Sequence, residues 1–157
     1  MHGRGSPCLL GAVGLFNESG GGNSSWLVAK KRGRVRYLAK KYIVVADDQP
    51  GVRCLLSEVL SRDKYVLLEA GSGEEVIDFI QQQEIDLVFL DVKMPRLDGV
   101  TTLKKILLQP RHPPVVIMTA QGQDDLRRRV LDMGASAYLE KPFDIDVIAR
   151  LVAKLSQ

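Results

Sequence analysis

Cysteine is almost missing from this chain: Cys8 and Cys54 are the two among 157 residues. So placed, they make no disulfide framework and fit no zinc-ligand spacing, so a reducing, cytoplasmic setting is expected. Cys54 falls inside an apolar helical pattern and is expected to pack as a small hydrophobe. No apolar run approaches the ~18 residues that a membrane-spanning helix needs, so no membrane partner is expected. Aromatic residues are only 6% of the chain and form no repeat. What is plentiful is ordinary globular material, 45% hydrophobic and 26% charged, enough for one domain with a tail.

The formal net charge of +3 conceals a division along the chain. Residues 1–42 carry eight Lys and Arg against Glu18 alone, while the remainder carries 14 basic against 18 acidic residues. The folded part is therefore mildly acidic, which argues against nucleic-acid binding by the whole chain. Residues 1–41 are expected to be a basic, Gly- and Ser-containing extension without order. Within them, residues 8–16 are a short apolar run behind Arg4 that faintly resembles a secretory leader, but no small-residue cleavage site follows it. Residues 17–25 read as linker. Residues 30–41 are basic, with Trp26 and Tyr37 nearby, and could touch a nucleic acid or an anionic surface. Nothing periodic organises their charges, so a solvated arm is expected, or upstream sequence read from an early start codon.

From Tyr42 the pattern changes. Short apolar runs at 43–46, 66–68, 87–90, 115–118 and 137–139 alternate with amphipathic segments. In the first of these, Val52, Leu55, Leu56, Val59 and Leu60 recur at helical spacing. A second helix carries Val76, Ile77 and Ile80, and a third covers 99–108. The fourth covers 124–133 with Gly134 as its cap, and the last covers 145–155, with Ile145, Ile148, Val152 and Leu155 on one face. Five strand–helix alternations predict an α/β fold, a doubly wound five-stranded parallel sheet. The chain ends one residue after Ser156, so the folded part is expected to stand alone as one module.

The polar residues fall at the strand ends. The first run stops at Asp47-Asp48, the third runs into Asp91, the fourth into Thr119, and the fifth leads to Lys141. In a parallel sheet these ends share one edge, where open α/β sheets place their chemistry. Taken singly, each has an ordinary account as a helix cap, a strand residue or a solvated lysine. Together they point elsewhere. Three carboxylates at one edge repel, and one takes up a proton unless a cation is shared. Mg²⁺ prefers oxygen ligands and comes with phosphate. Lys141 then supplies charge and Thr119 a donor to phosphoryl oxygens, leaving Asp91 to attack phosphorus and form an acyl phosphate.

On these motifs, namely Asp47-Asp48, Leu90-Asp91-Val92-Lys93-Met94-Pro95, Asp98-Gly99, Thr119-Ala120 and Lys141-Pro142-Phe143, residues 42–156 resemble the receiver domain of bacterial two-component response regulators. Within that family, residues 47–53 and 141–146 are most similar to the single-domain regulators of sporulation phosphorelays. The resemblance implies a flavodoxin-like (βα)5 fold. It implies that Asp91 accepts a phosphoryl group from a sensor histidine kinase or a histidine phosphotransfer protein. A downstream regulator or phosphotransferase would then receive the group or the signal. Asp47, Asp48, Asp91 and the main-chain carbonyl of Lys93 would ligate Mg²⁺. Thr119 would turn toward the phosphoryl group, Tyr138 would swing inward, and Lys141 would pair with the group, its bond to Pro142 often being cis. Gln49, Pro50, Pro142 and Phe143 border the acidic site and are expected to dock the partner, although Phe143 could equally pack on the core. Lys93 and Gln121 stand two residues beyond Asp91 and Thr119, where phosphoryl lifetime is tuned, and a long lysine there predicts slow dephosphorylation.

Two other readings fare worse. A phosphatase of the haloacid-dehalogenase type needs a second Asp two residues after the nucleophile, where Lys93 stands. No enzyme activity is expected beyond the domain's own phosphorylation and dephosphorylation. A nucleic-acid-binding regulator acting through residues 30–41 would want a helix-turn-helix or aromatic repeat, and neither is present.

Overall fold

The computed structural model describes residues 26–31, 34–60 and 65–156. The expectations for residues 1–25, Cys8 included, lie outside the described residues. The chain divides into two units, Met1–Ala39 and Lys40–Gln157. In the first, β1 (Trp26–Lys31) and β2 (Arg34–Ala39) form an antiparallel pair, with Trp26 opposite Ala39 and Lys31 opposite Arg34. The sequence reading expects no order here. The signal that charge density obscured is a pair of six-residue runs rich in Val, Leu and aromatics, set two residues apart with Gly33 between them.

The second unit is built on strands that must be covered on both faces. Every residue of β5 (Leu87–Asp91) is buried, as befits the middle of a parallel sheet. Around it run β3 (Lys41–Ala46), β4 (Tyr65–Ala70), β6 (Val115–Ala120) and β7 (Ala137–Lys141), all parallel, in the order β4-β3-β5-β6-β7. The connecting helices are α1 (Pro50–Leu60), α2 (Gly73–Gln82), α3 (Gly99–Leu107), α4 (Asp124–Met133) and α5 (Ile145–Leu155). This is the doubly wound sheet the alternation predicts. Strands run one to three residues longer than their apolar runs, because the ladder continues through the flanking residues.

Alternate strand residues face opposite layers. Val44, Leu90 and Ile117 pack with Val76 of α2, Leu103 and Ile106 of α3, and Val130 of α4. Ile43, Val45, Phe89 and Met118 pack with Leu56 and Leu60 of α1 and Ile148 and Val152 of α5. Two expectations need correction. Cys54 is exposed, because Leu56 and Leu60 take the buried stripe of α1 and leave Cys54 off it. Ile145 is 54% exposed, since it opens α5 ahead of the turns that Ile148 and Val152 bury. Among the described residues no helix is long and apolar enough to cross a membrane.

The order of strands reverses between β3 and β5, since the chain leaves β3 for β4 on one side and returns to β5 on the other. A crevice opens at the carboxyl ends of such a pair. Asp47 and Asp48 follow β3, and Asp91 ends β5.

Candidate functional site

Asp47 extends β3 by one bond, its amide donating to the Ala70 carbonyl, and its side chain is fully buried. Its Oδ1 accepts the Gln49 amide at 2.9 Å. Its main-chain carbonyl accepts Nη1 of Arg53 at 2.7 Å. Arg53 in turn holds Glu69 through Nε at 3.1 Å, and Ser57 donates to the same carboxylate. Arg53 escaped the sequence reading. Its signal was slight: it is the one basic residue in the eleven of α1.

Asp91 is 4% exposed, and its Oδ2 accepts the Lys93 amide at 2.9 Å. Lys141, the last residue of β7, reaches past β6 to place Nζ 2.5 Å from Asp47 Oδ2 and 2.8 Å from Asp91 Oδ1. One ammonium therefore serves two buried carboxylates. Burial raises the Asp91 pKa; the hydrogen bond and charge of Lys141 oppose that, and the Asp47 charge adds to it. The net direction is upward because burial leads and the Asp47 charge reinforces it against Lys141 and the Lys93 amide. At Lys141 burial works downward, but the bonds to Asp47 and Asp91 outweigh it and hold the ammonium charged.

Asp48 is exposed at the mouth of the crevice. Carboxylate oxygens of Asp47, Asp48 and Asp91 lie within 4.8 Å of one another. An all-oxygen acidic donor set at this spacing suits a hard divalent cation such as Mg²⁺. Over it opens a cavity of about 240 Å³ lined by Asp48, Gln49, Asp91, Lys93, Thr119, Ala120 and Lys141.

Six of the residues singled out in the sequence thus share one cavity, with Asp47 buried against Lys141. Pro50 and Pro142 are exposed and do not line it. Phe143 is half-buried and packs against the α1–α5 core, as its alternative reading had it. The Lys141–Pro142 bond is cis. Thr119 is buried and donates its hydroxyl to Oε1 of Gln123 at 3.0 Å. Tyr138 has its hydroxyl buried without a hydrogen-bond partner, and its ring lies 5.7 Å from the Arg127 guanidinium. Burial raises the phenol pKa, with the Glu140 charge adding to the rise and the neighbouring Thr119 hydroxyl opposing it.

Residues 43–153 match the family of the response regulator receiver domain. Over 112 residues the chain is 38% identical to sporulation initiation phosphotransferase F of Bacillus subtilis, covering 71% of this chain and 90% of that one. It is 39% identical over 117 residues to the transcriptional regulatory protein PdtaR of Mycobacterium tuberculosis, covering 73% of this chain and 57% of the relative. The signal receiver domain of a LuxO-type repressor protein from Vibrio parahaemolyticus superposes with a TM-score of 0.71 at 26% identity, over 74% of this chain and 90% of that one.

Proposed function

The chain belongs to the response regulator receiver family, and from that premise we propose that Asp91 is its phosphoacceptor, in a relay or partner-binding step of two-component signalling. The observation that carries the reading is the meeting of three carboxylates and Lys141 at the edge where strand order reverses. In the transfer, the P–N bond of a phosphohistidine breaks and its electron pair stays on the imidazole nitrogen. An Asp91 carboxylate oxygen forms the new P–O bond. Lys141 and Thr119 donate to the phosphoryl oxygens as negative charge gathers there. The Lys93 amide, holding Oδ2, fixes the carboxylate plane for attack. Asp47, Asp48, Asp91 and the Lys93 carbonyl are the groups that would hold Mg²⁺, which when bound neutralises phosphoryl charge.

The donor would be a sensor histidine kinase or a histidine phosphotransfer protein, docking over Gln49, Pro50 and Pro142 beside the cavity mouth. Phe143 would back that loop from the core side. The 90% coverage of the sporulation phosphotransferase favours passing the group onward to a downstream protein. Catalysis would extend to the domain's own phosphorylation and dephosphorylation, in the cytoplasm, with residues 1–41 an extension outside the receiver.

The test is intact mass after incubation with acetyl phosphate and Mg²⁺, for the wild type and Asp91→Asn. One base-labile phosphoryl group on the wild type and none on the variant is expected. Equal labelling of both would move the acceptor elsewhere, and no labelling of either would remove the reading.

A further inference from the structure

The Thr119 hydroxyl has one proton to donate, and in this structure the proton goes to Gln123. Gln123 stands at the residue that opens α4, with φ −114° and ψ 52°, and its side chain makes no capping bond to the helix. Its carbonyl begins the helix by accepting the Arg127 amide at 2.9 Å. Gln is not among the residue types that favour this position. Its side chain is instead engaged with β6. The buried Tyr138 hydroxyl also borders Thr119, without a hydrogen bond of good geometry to it. The Thr119 hydroxyl proton is thus committed to Gln123.

We propose that Gln123 is a positioning residue that sets the resting balance of the phosphorylation switch by competing for the Thr119 hydroxyl proton. The inference rests on the reading of Asp91 as phosphoacceptor. A donation from Thr119 to a phosphoryl oxygen requires that the bond to Gln123 open. A charged acceptor makes the stronger hydrogen bond, so phosphorylation drives the exchange, and the Gln123 amide opposes it. The same event frees the residue that caps α4 from β6. Phosphoryl chemistry is thereby coupled to the start of α4, one turn from the Arg127 that covers the Tyr138 ring.

The test compares wild type with Gln123→Leu, which removes the acceptor at similar length, and Gln123→Glu, which keeps it. Binding of beryllofluoride with Mg²⁺ reads the phosphoryl-like state, and the lifetime of the acetyl-phosphate product reads its persistence. Gln123→Leu is expected to bind beryllofluoride about fivefold tighter, the factor one hydrogen bond of ordinary net strength supplies, and to prolong the lifetime. Gln123→Glu shows no such tightening, and in a Thr119→Ala background the Leu substitution changes nothing. Unchanged binding by Gln123→Leu, or a shift that persists without the Thr119 hydroxyl, overturns the proposal while a reacting wild type leaves the phosphoacceptor reading standing. A wild type that takes no phosphoryl group overturns both.

Discussion

The backbone of Gly99 lies directly against that of Asp91. A Cβ on Gly99 would sit within the van der Waals shell of the Asp91 carbonyl oxygen and 2.8 Å from Val92 Cα, while the Gly99 amide donates to the Val92 carbonyl at 2.9 Å. The start of α3 and the end of β5 therefore meet where no side chain fits. Gly99→Ala should lower stability by about 2–4 kcal/mol, because backbone rather than a flexible side chain has to move. It should also slow labelling by acetyl phosphate, since the segment displaced carries the acceptor. Urea unfolding checks the first, and an unchanged midpoint would show that the loop yields more easily than its packing implies.

Among the described residues Lys141 is the sole ammonium bonded to both Asp47 and Asp91, and Asp47 is wholly buried. Lys141→Met leaves both carboxylates without that counter-charge and should destabilise the metal-free protein at neutral pH by about 2–3 kcal/mol, less than for a fully buried pair because the lysine is part-exposed. Its raised pKa means that the wild-type contribution is fully present below the unfolded value, near 10.5, and is lost as pH rises through the folded value. Mg²⁺ should raise the thermal midpoint of the variant more than that of the wild type, the cation taking over the role of the ammonium. An equal rise in both would mean that ammonium and cation do not share the charge.

Much of this was written in the chain at low resolution. Helices α4 and α5 are where periodicity and Gly134 put them, because a left-handed glycine with φ 112° and an apolar stripe are local signals. The strand-end rule found Asp47, Asp91, Thr119 and Lys141 because parallel strands leave no choice of edge. Arg53 and Gln123 were missed for a common reason. Each acts on a main-chain carbonyl or a neighbouring hydroxyl, and such bonds depend on side-chain direction, which spacing does not carry. Cys54 was misplaced because α1 is apolar around much of its girth, and periodicity alone does not say which stripe is covered. The β1–β2 pair was hidden by its lysines and arginines.

Asp98 caps α3, accepting the Thr101 amide at 2.9 Å and the Thr101 hydroxyl at 2.8 Å. These bonds, the amide first, hold its pKa below the usual carboxylate range. A depressed carboxyl contributes stability above the unfolded pKa that is lost as pH falls through the folded one. Asp98→Ala should therefore cost about 1 kcal/mol at pH 7. The gap to wild type should narrow as pH drops below about 4. Urea titrations at both ends of that range decide it; a gap that stays constant would assign the loss to something other than an ionised cap.

Lys93 places its amide on Asp91 Oδ2 while its exposed side chain lines the cavity. Hydrolysis of an acyl phosphate needs water to approach phosphorus opposite the Asp91 oxygen, and a long chain over that approach obstructs it. Shortening the side chain opens the path, so Lys93→Ala should shorten the lifetime of phosphorylated protein by about fivefold, corresponding to about 1 kcal/mol off the barrier. Length and charge can be separated, since Lys93→Met keeps the reach and drops the ammonium. If obstruction is the cause, the Met variant decays as slowly as wild type. If the ammonium instead holds the phosphoryl oxygens, Met and Ala decay alike. The amide of residue 93 survives both substitutions, so neither outcome can be blamed on losing the bond that orients Asp91.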